Sequence, residues 1–170
     1  MLIRKETPKD YEDIYKIVKK AFASAEHADG NEQDVVNALR TSKAYIPDLS
    51  LVADADGKIV GHIMFTKAEV AGNTVLVLAP LSVLPAHQRK GIGKALIMEG
   101  HKIAERLGYP YSVVLGSEKY YSKLGYVQAA AFGIHPPIEV PRENFMAYQL
   151  NDNASNINGI LRYAKEFGID

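Results

Sequence analysis

The chain has 170 residues, enough for one compact domain with a sizeable core. Its 20 Lys and Arg residues balance 20 Asp and Glu residues, so nothing global indicates nucleic acid or an acidic membrane surface as a partner. The absence of cysteine excludes disulfides, thiolate metal sites and a cysteine nucleophile. The first residues lack the apolar core of a signal peptide, and no run is long enough to cross a bilayer, so we expect a cytoplasmic protein.

The first half of the chain predicts a strand, two helices and a three-stranded meander. Thr7 before Pro8 and Asp10 is typical of a helix start with a capping box. Asp56-Gly57 separates two strand-like runs and predicts a tight hairpin. Pro80 interrupts the apolar run that follows, which indicates a place where strand pairing stops. The predicted elements are a strand over Leu2–Arg4, helices over 8–22 and Glu32–Arg40, and strands over Ser50–Ala55, Lys58–Thr66 and Asn73–Val83.

The second half predicts a crossover helix between two parallel strands, since a strand, a helix and a further strand follow one another. The predicted elements are helices over Ile92–Leu107 and Glu118–Lys123, and strands over Tyr111–Leu115, Tyr126–Ala129 and Phe145–Leu150. We therefore predict an α/β (α+β) fold with a mixed, mostly antiparallel central sheet of about seven strands, flanked by helices on both faces. One domain is expected over 1–150, with 151–170 as a C-terminal extension packed on it, as strand or helix.

The stretch Leu84–Ala95 carries the strongest functional signal, because it leaves a predicted strand, turns over glycines and enters a predicted helix. Backbone amides at such a helix start, together with the positive end of the helix dipole, bind anions. Arg89, Lys90 and Lys94 add positive charge to the same place. A helix start with a solvated basic edge is the structural alternative. The combination of strand, glycines, helix and cations favours a site for a phosphorylated ligand.

Two common phosphate motifs do not fit this stretch. The P-loop requires Ser or Thr after its lysine, and Lys94 is followed by Ala95. The dinucleotide fingerprint requires a third glycine at the position of Leu96. The pattern that remains is Gln88-x-x-Gly91-x-Gly93, directly after a long strand and at the start of a helix.

Gln88–Leu96 resembles the acetyl-CoA pyrophosphate loop of the GNAT superfamily of N-acetyltransferases. Tyr121–Tyr126 resembles the Tyr-x-x-x-Gly-aromatic segment of the same family, at a similar separation. The likeness covers Leu2 to Leu150, and Leu115–Tyr121 together with Phe145–Ala147 further resembles the YhbS-like bacterial branch. The resemblance implies a GNAT-type sheet that splays open at its central parallel strand pair.

The resemblance also implies acetyl-CoA as co-substrate, while the spacing of the histidines makes no metal site. The pantetheine arm is expected along the strand end, where a backbone amide would donate to the thioester oxygen. The pyrophosphate is expected on the amides of the loop and helix start. The implied cofactor-binding residues are Leu81, Ser82, Val83, Gln88, Arg89, Lys90, Gly91, Ile92, Gly93, Lys94 and Ala95.

Tyr121 is the implied catalytic residue. A phenol with an ordinary pKa of ~10 protonates a departing thiolate and stays neutral at cellular pH. The alternative is that Tyr121 only packs, as we expect of Tyr120 and Tyr126. His101 is expected to face solvent on its helix.

The general base is not predicted, because Asn73–Val83 contains no acid and no histidine. No dedicated base would be required if water carries the proton away or if the amine arrives in its neutral form. Five residues elsewhere in the chain are candidates for the base, and each is also explained as a solvated surface group: Glu26, His27, Glu32, Glu69 and Glu118.

The predicted activity is transfer of the acetyl group of acetyl-CoA to a primary amine, by direct attack in a ternary complex. The acceptor is the amine of a small molecule or of a protein or peptide. The alternatives are a non-catalytic acyl-CoA-binding sensor or regulatory module on the same fold, and an interaction protein with no nucleotide ligand. Neither nucleic acid nor a membrane is expected as a partner, and the resemblance leaves a homodimer open.

Overall fold

The computed structural model describes residues 1–25 and 28–169. This described part contains four α-helices and nine strands, joined by loops and short 3-10 turns. The helices are α1 (Tyr11–Phe22), α2 (Glu32–Arg40), α3 (Ile92–Arg106) and α4 (Glu118–Ser122). The strands are β1 (Leu2–Lys5), β2 (Tyr45–Ala55), β3 (Lys58–Val70), β4 (Asn73–Val83), β5 (Tyr111–Leu115), β6 (Val127–Gln128), β7 (Ile134–His135), β8 (Phe145–Gln149) and β9 (Gly159–Arg162).

Seven strands form the main path of the sheet, in the order β1-β2-β3-β4-β5-β8-β6. Neighbours along this path are antiparallel except β4 and β5, which are parallel and joined by α3. The predicted mixed sheet of about seven strands is confirmed. The short strands β7 and β9 pair with each other off this path, and β9 also pairs with the end of β3.

Local sequence signals account for the first helix and the first hairpin. The Asp10 carboxylate accepts hydrogen bonds from the Thr7 amide (2.8 Å) and hydroxyl (3.1 Å), so the predicted capping box forms on the 3-10 turn that precedes α1. The Asp54 carboxylate accepts from the Gly57 amide at 2.7 Å, which closes the turn between β2 and β3. Both signals depend on residues close in sequence, so they can be predicted locally.

Three strands differ in length from the prediction by two or more residues. β2 begins at Tyr45 rather than Ser50, because an irregularity in its pairing accommodates Pro47 within the strand. β3 continues to Val70, where β9 pairs with it. β6 is reduced to Val127–Gln128, since the chain enters a 3-10 turn at Ala129.

The sheet opens between β4 and β5. These strands pair only at Leu76 with Ser112 and at Val77 with Val113, although β4 continues to Val83. The ladder between β3 and β4 shifts register in the same region, around Pro80. From residue 78 onward, β4 therefore has no strand partner on its β5 side within the described chain. The predicted splay at the central parallel pair is confirmed.

Helices cover both faces of the sheet. On one face, Ile14 of α1 and Leu39 of α2 pack against Met64 of β3. On the other face, α3 packs closely against β3, since a Cβ added at Gly100 would overlap the Phe65 ring. This close approach holds the middle of α3 against β3. None of the helices in residues 1–25 and 28–169 is long and apolar enough to span a membrane.

The segment after β8 returns across the sheet. Tyr111 donates from its hydroxyl to the Ser155 carbonyl at 2.9 Å, and Leu161 of β9 is fully buried. A 3-10 turn over Lys165–Phe167 then packs Phe167 against the core beneath α1 and α2. The C-terminal segment is thus a strand and a short turn.

Candidate active site

The loop between β4 and α3 has an unusual backbone. The Gln88 side chain donates from Nε2 to the Val83 carbonyl at 3.0 Å and ties the loop to the end of β4. Arg89 (φ +62°) and Gly91 (φ +82°) both adopt the left-handed conformation. This conformation suits glycine and strains an ordinary residue. Glycine is therefore the residue type that the turn into α3 favours at position 91.

The start of α3 leaves several backbone amides free. The Ala95 amide donates to the Gly91 carbonyl at 3.0 Å and makes the first helical bond. The amides of 92–94 precede that bond and have no carbonyl one turn back within the helix. The three basic side chains of this stretch are exposed, and none forms an ion pair with a described residue. Free amides, the helix dipole and these cations together favour an anion.

A cleft of about 350 Å³ lies along this helix start and the end of β4. We call it the loop cleft. A Cβ on Gly93 would lie 2.6 Å from the Tyr120 hydroxyl oxygen, so the glycine lets Tyr120 lie across the helix start. Tyr120, which was expected to pack, is 39% exposed and forms part of the wall. The lining residues are Leu81, Val83, His87, Gln88, Arg89, Gly91, Ile92, Gly93, Lys94 and Tyr120.

Eight of the eleven predicted cofactor-binding residues line the loop cleft, and three do not. Ser82 is buried and pairs in register with His62, so its side chain lies on the opposite face of the sheet from its neighbours Leu81 and Val83. Lys90 and Ala95 belong to the same stretch but do not line the cleft. The structure thus brings together the predicted loop, with the strand residues alternating toward and away from it.

A second cleft, of about 360 Å³, opens where β4 and β5 separate. We call it the strand cleft. Its walls come from the open strand ends, the end of α1, the start of α2 and the C-terminal segment. Leu81 lines both clefts, which therefore meet at this side chain. The lining residues are Phe22, Asp29, Asn31, Glu32, Val35, Leu78, Ala79, Pro80, Leu81, Val114, Leu115, Tyr121, Phe167 and Ile169.

Tyr121 lies on the strand cleft, next to Tyr120 of the loop cleft. The two rings meet edge to face with centroids 5.0 Å apart. Tyr121 is only 8% exposed, and its hydroxyl makes no hydrogen bond to another described residue. Burial, with a smaller contribution from Tyr120, raises the pKa of Tyr121 well above its ordinary value. The phenol therefore stays protonated and available as a donor.

The candidate bases lie in different places. Glu32 lines the strand cleft, where its carboxylate accepts from the amides of Asp29 (2.7 Å) and Gly30 (3.1 Å). Glu69 is exposed on β3, and Glu118 is exposed at the start of α4; neither lines a cleft. The candidates Glu26 and His27 lie outside the described residues.

The prediction that His101 faces solvent is wrong. His101 is 5% exposed, stacks on Tyr148 and shares a hydrogen bond of 2.9 Å with the Tyr126 hydroxyl. Ser112 of β5 contacts the same hydroxyl at 2.9 Å. Desolvation lowers the pKa of His101 to about 4, so the ring is neutral at physiological pH. This cluster anchors the middle of α3 to the sheet.

A second buried polar cluster lies on the other face. Glu6 accepts from the Arg40 guanidinium at 2.9 and 3.0 Å and from the Tyr45 hydroxyl at 2.7 Å. His62 lies 3.3 Å from the same carboxylate and 3.0 Å from the Ser50 hydroxyl. The cluster joins the residue after β1 to α2, β2 and β3, and none of its residues lines either cleft. Throughout the described chain, no group of three His, Asp or Glu side chains is placed to hold a metal ion.

Comparison with known proteins identifies the class. The family model described as Acetyltransferase (GNAT) family matches residues 11–126, which include α1, the β4–α3 loop and Tyr121. The chain therefore belongs to the GNAT acetyltransferase family.

Three relatives match most of the chain. The Uncharacterized N-acetyltransferase YjhQ of Escherichia coli (strain K12) is 32% identical over 163 residues, a match that covers 91% of this chain and 87% of that protein. The crystal structure of the GNAT family N-acetyltransferase YhbS from Escherichia coli, in complex with CoA, has a TM-score of 0.89 at 28% identity, over 98% of this chain and 91% of that one. A GNAT family acetyltransferase from Brucella melitensis, in complex with acetyl-CoA, has a TM-score of 0.82 at 32% identity, over 98% of this chain and 97% of that one.

Sequence reasoning missed several cleft residues. His87 and Tyr120 lie within or near the recognised motifs, and their proximity to the glycines was a usable signal. Asp29, Phe22 and Phe167 reach the strand cleft from three separate segments, and no local pattern connects them.

Proposed function

We propose that this protein is an N-acetyltransferase that transfers the acetyl group of acetyl-CoA to a primary amine in a ternary complex. The observation that supports this proposal is the meeting of the two clefts at Leu81. One cleft has the features of an anion site, and the other contains a buried, protonated phenol. A donor and an acceptor bound in these clefts would be held side by side, which supplies much of the acceleration in such reactions.

The loop cleft fits acetyl-CoA. Its lining includes free backbone amides and two cations, and no carboxylate among the described residues. These groups would hold the pyrophosphate, and the unpaired end of β4 at Leu81–Val83 would hold the pantetheine amides. Bound acetyl-CoA supplies the acetyl group: a C–N bond forms to the amine, the C–S bond breaks and CoA leaves as a thiol.

Tyr121 is the proposed general acid. Its raised pKa keeps the hydroxyl protonated, and it lines the strand cleft together with Leu81, where the two clefts meet, so it would be available to protonate the departing thiolate. The amine reacts in its neutral form, and among the described base candidates Glu32 lines the strand cleft and would take up the amine proton. The two amides that bind Glu32 hold that carboxylate in place.

The experiment measures binding and turnover separately. Calorimetric titration with acetyl-CoA tests the loop cleft, and release of CoA thiol with a panel of primary amines tests transfer. We expect saturable binding and amine-dependent thiol release, with acetylated amine identified by mass spectrometry. Binding without release for every amine would support the acyl-CoA sensor instead, and no binding at all would remove the nucleotide ligand.

A further inference from the structure

The strand cleft has a composition that defines the chemistry of its occupant. Apart from Tyr121, ten of the lining residues are apolar or aromatic. They come from α1, α2, the two strand ends and the C-terminal segment. The only charged lining side chains among the described residues are Asp29 and Glu32, both acidic. A volume of about 360 Å³ is in the range of sites for small organic molecules.

Backbone hydrogen bonds hold one of the two acidic side chains of the cleft. The Glu32 carboxylate accepts from two backbone amides, at 2.7 and 3.1 Å, so its position at the start of α2 is determined by the turn before it. A carboxylate held in this way favours an ammonium group nearby and disfavours a second carboxylate. The cleft is therefore suited to a cation and unsuited to an anion.

The apolar wall is anchored in the core. Phe167, Phe22 and Val35 all pack against the buried cluster beneath α1 and α2, and the Phe167 ring meets Tyr163 with centroids 5.5 Å apart. The Phe167 amide donates to the Ala164 carbonyl at 3.1 Å and closes the turn that carries the ring. The C-terminal segment thus contributes a fixed aromatic surface to the cleft.

We propose that the acceptor is a small primary amine with an apolar alkyl or aryl body and no carboxylate, and that Phe167 determines this preference. The proposal rests on the proposed acetyltransferase function, because it assigns the substrate class of the same site. Burial of the apolar body against Phe167 and Phe22 supplies binding energy, and the acidic side rejects amino acids.

Three probe amines separate the effect of the apolar body from the effect of a carboxylate. Phenethylamine has an aryl body and a single positive charge, phenylalanine adds a carboxylate to the same body, and ethanolamine lacks the apolar body. Calorimetry on the protein saturated with CoA measures binding of each amine, and thiol release from acetyl-CoA measures transfer. We expect phenethylamine to bind, and to be acetylated, at least about tenfold better than either of the others.

Phe167→Ala tests the assigned residue, and Phe167→Leu is the conservative control. The alanine variant should lower kcat/KM for phenethylamine about tenfold, because KM for this amine rises. The kcat/KM for ethanolamine and the KM for acetyl-CoA should not change. The leucine variant should retain most of the preference. If Phe167→Ala does not fold, the ranking of the three amines on the unmodified protein still decides the substrate class.

The two proposals fail in different ways. Equal binding of the three amines, or a preference for phenylalanine or ethanolamine, would overturn the apolar acceptor while transfer stands. Preferential binding of phenethylamine without thiol release would support the cleft assignment and overturn the transferase. Strong acetylation of apolar peptide N-termini, with no phenethylamine bound, would show that the cleft serves a polypeptide instead.

Discussion

The loop cleft and the strand cleft meet at one side chain but are built in different ways. The loop cleft comes mainly from one continuous stretch, 81–94, and uses backbone amides at the start of α3. The strand cleft gathers side chains from the end of α1, the start of α2, two strand ends and the C-terminal segment. Backbone recognition constrains a few residues tightly, whereas a side-chain wall constrains many residues loosely. The donor site should therefore be disabled by one backbone change, and the acceptor site tuned by several side-chain changes.

The boundary between the clefts is the place where a single atom should matter most. Tyr121→Phe removes the phenolic proton and leaves the buried ring, so we expect kcat to fall about 100- to 10,000-fold with little change in acetyl-CoA affinity. Steady-state thiol release and calorimetry measure the two quantities. Tyr120→Phe is the matched control, because Tyr120 lines the loop cleft and should alter the KM for acetyl-CoA more than kcat. An unchanged kcat in Tyr121→Phe would show that the ring only packs.

The buried His101, which joins α3 to the sheet, should make the stability of the protein depend on pH without changing the clefts. Burial holds the pKa of His101 at about 4, below its unfolded value of ~6.5, so the unfolded chain binds the extra proton. Stability from this group is fully present above pH ~6.5 and is lost as pH falls toward 4, by about 3 kcal/mol at most. Urea unfolding at pH 7 and pH 4.5 measures this loss.

The control for that prediction is His101→Gln, which keeps an amide able to contact the Tyr126 hydroxyl but does not titrate. We expect this variant to lose less free energy of unfolding than the unmodified protein over the same pH interval. An equal loss in both proteins would place the acid sensitivity elsewhere, for example in the Glu6–Arg40 pair.

The turn into α3 tests the backbone half of the comparison. Gly91→Val forces a β-branched residue into φ +82° and places a side chain at the helix start, so we expect acetyl-CoA affinity to fall about 10- to 100-fold. Gly72→Val is the matched control, since Gly72 has φ +81°, also has no atom within 4 Å of an added Cβ, and lies in the β3–β4 turn. Both variants should lose about 1–2 kcal/mol of stability, and only Gly91→Val should lose affinity. Retained affinity would contradict the assignment of the loop.

This difference in construction also explains what the sequence could predict. The loop can be predicted from Gly91 and Gly93, because the left-handed backbone at Gly91 and the close approach of Tyr120 at Gly93 both favour glycine. The hairpin at Gly57 depends on an equally local signal. Phe167 reaches its cleft through strand pairing of β9 with β3, which no local pattern reveals. His101 was misplaced because the buried stripe of α3 includes a polar residue whose partner, Tyr126, is distant in sequence.

The charge of the helix start should make the smallest contribution. Lys94→Gln removes an exposed cation from the loop cleft, and we expect acetyl-CoA binding to weaken about two- to fivefold at low salt. Lys102→Gln makes the same charge change on the same helix, away from the cleft, and should have less effect. The difference between the two variants should shrink as salt rises, because the screening length falls from ~10 Å at 0.1 M to ~3 Å at 1 M. Calorimetric titrations at both salt concentrations measure this. A Lys94 effect that persists at high salt would mean that its ammonium makes a desolvated contact, and that side chains share the donor site with the backbone.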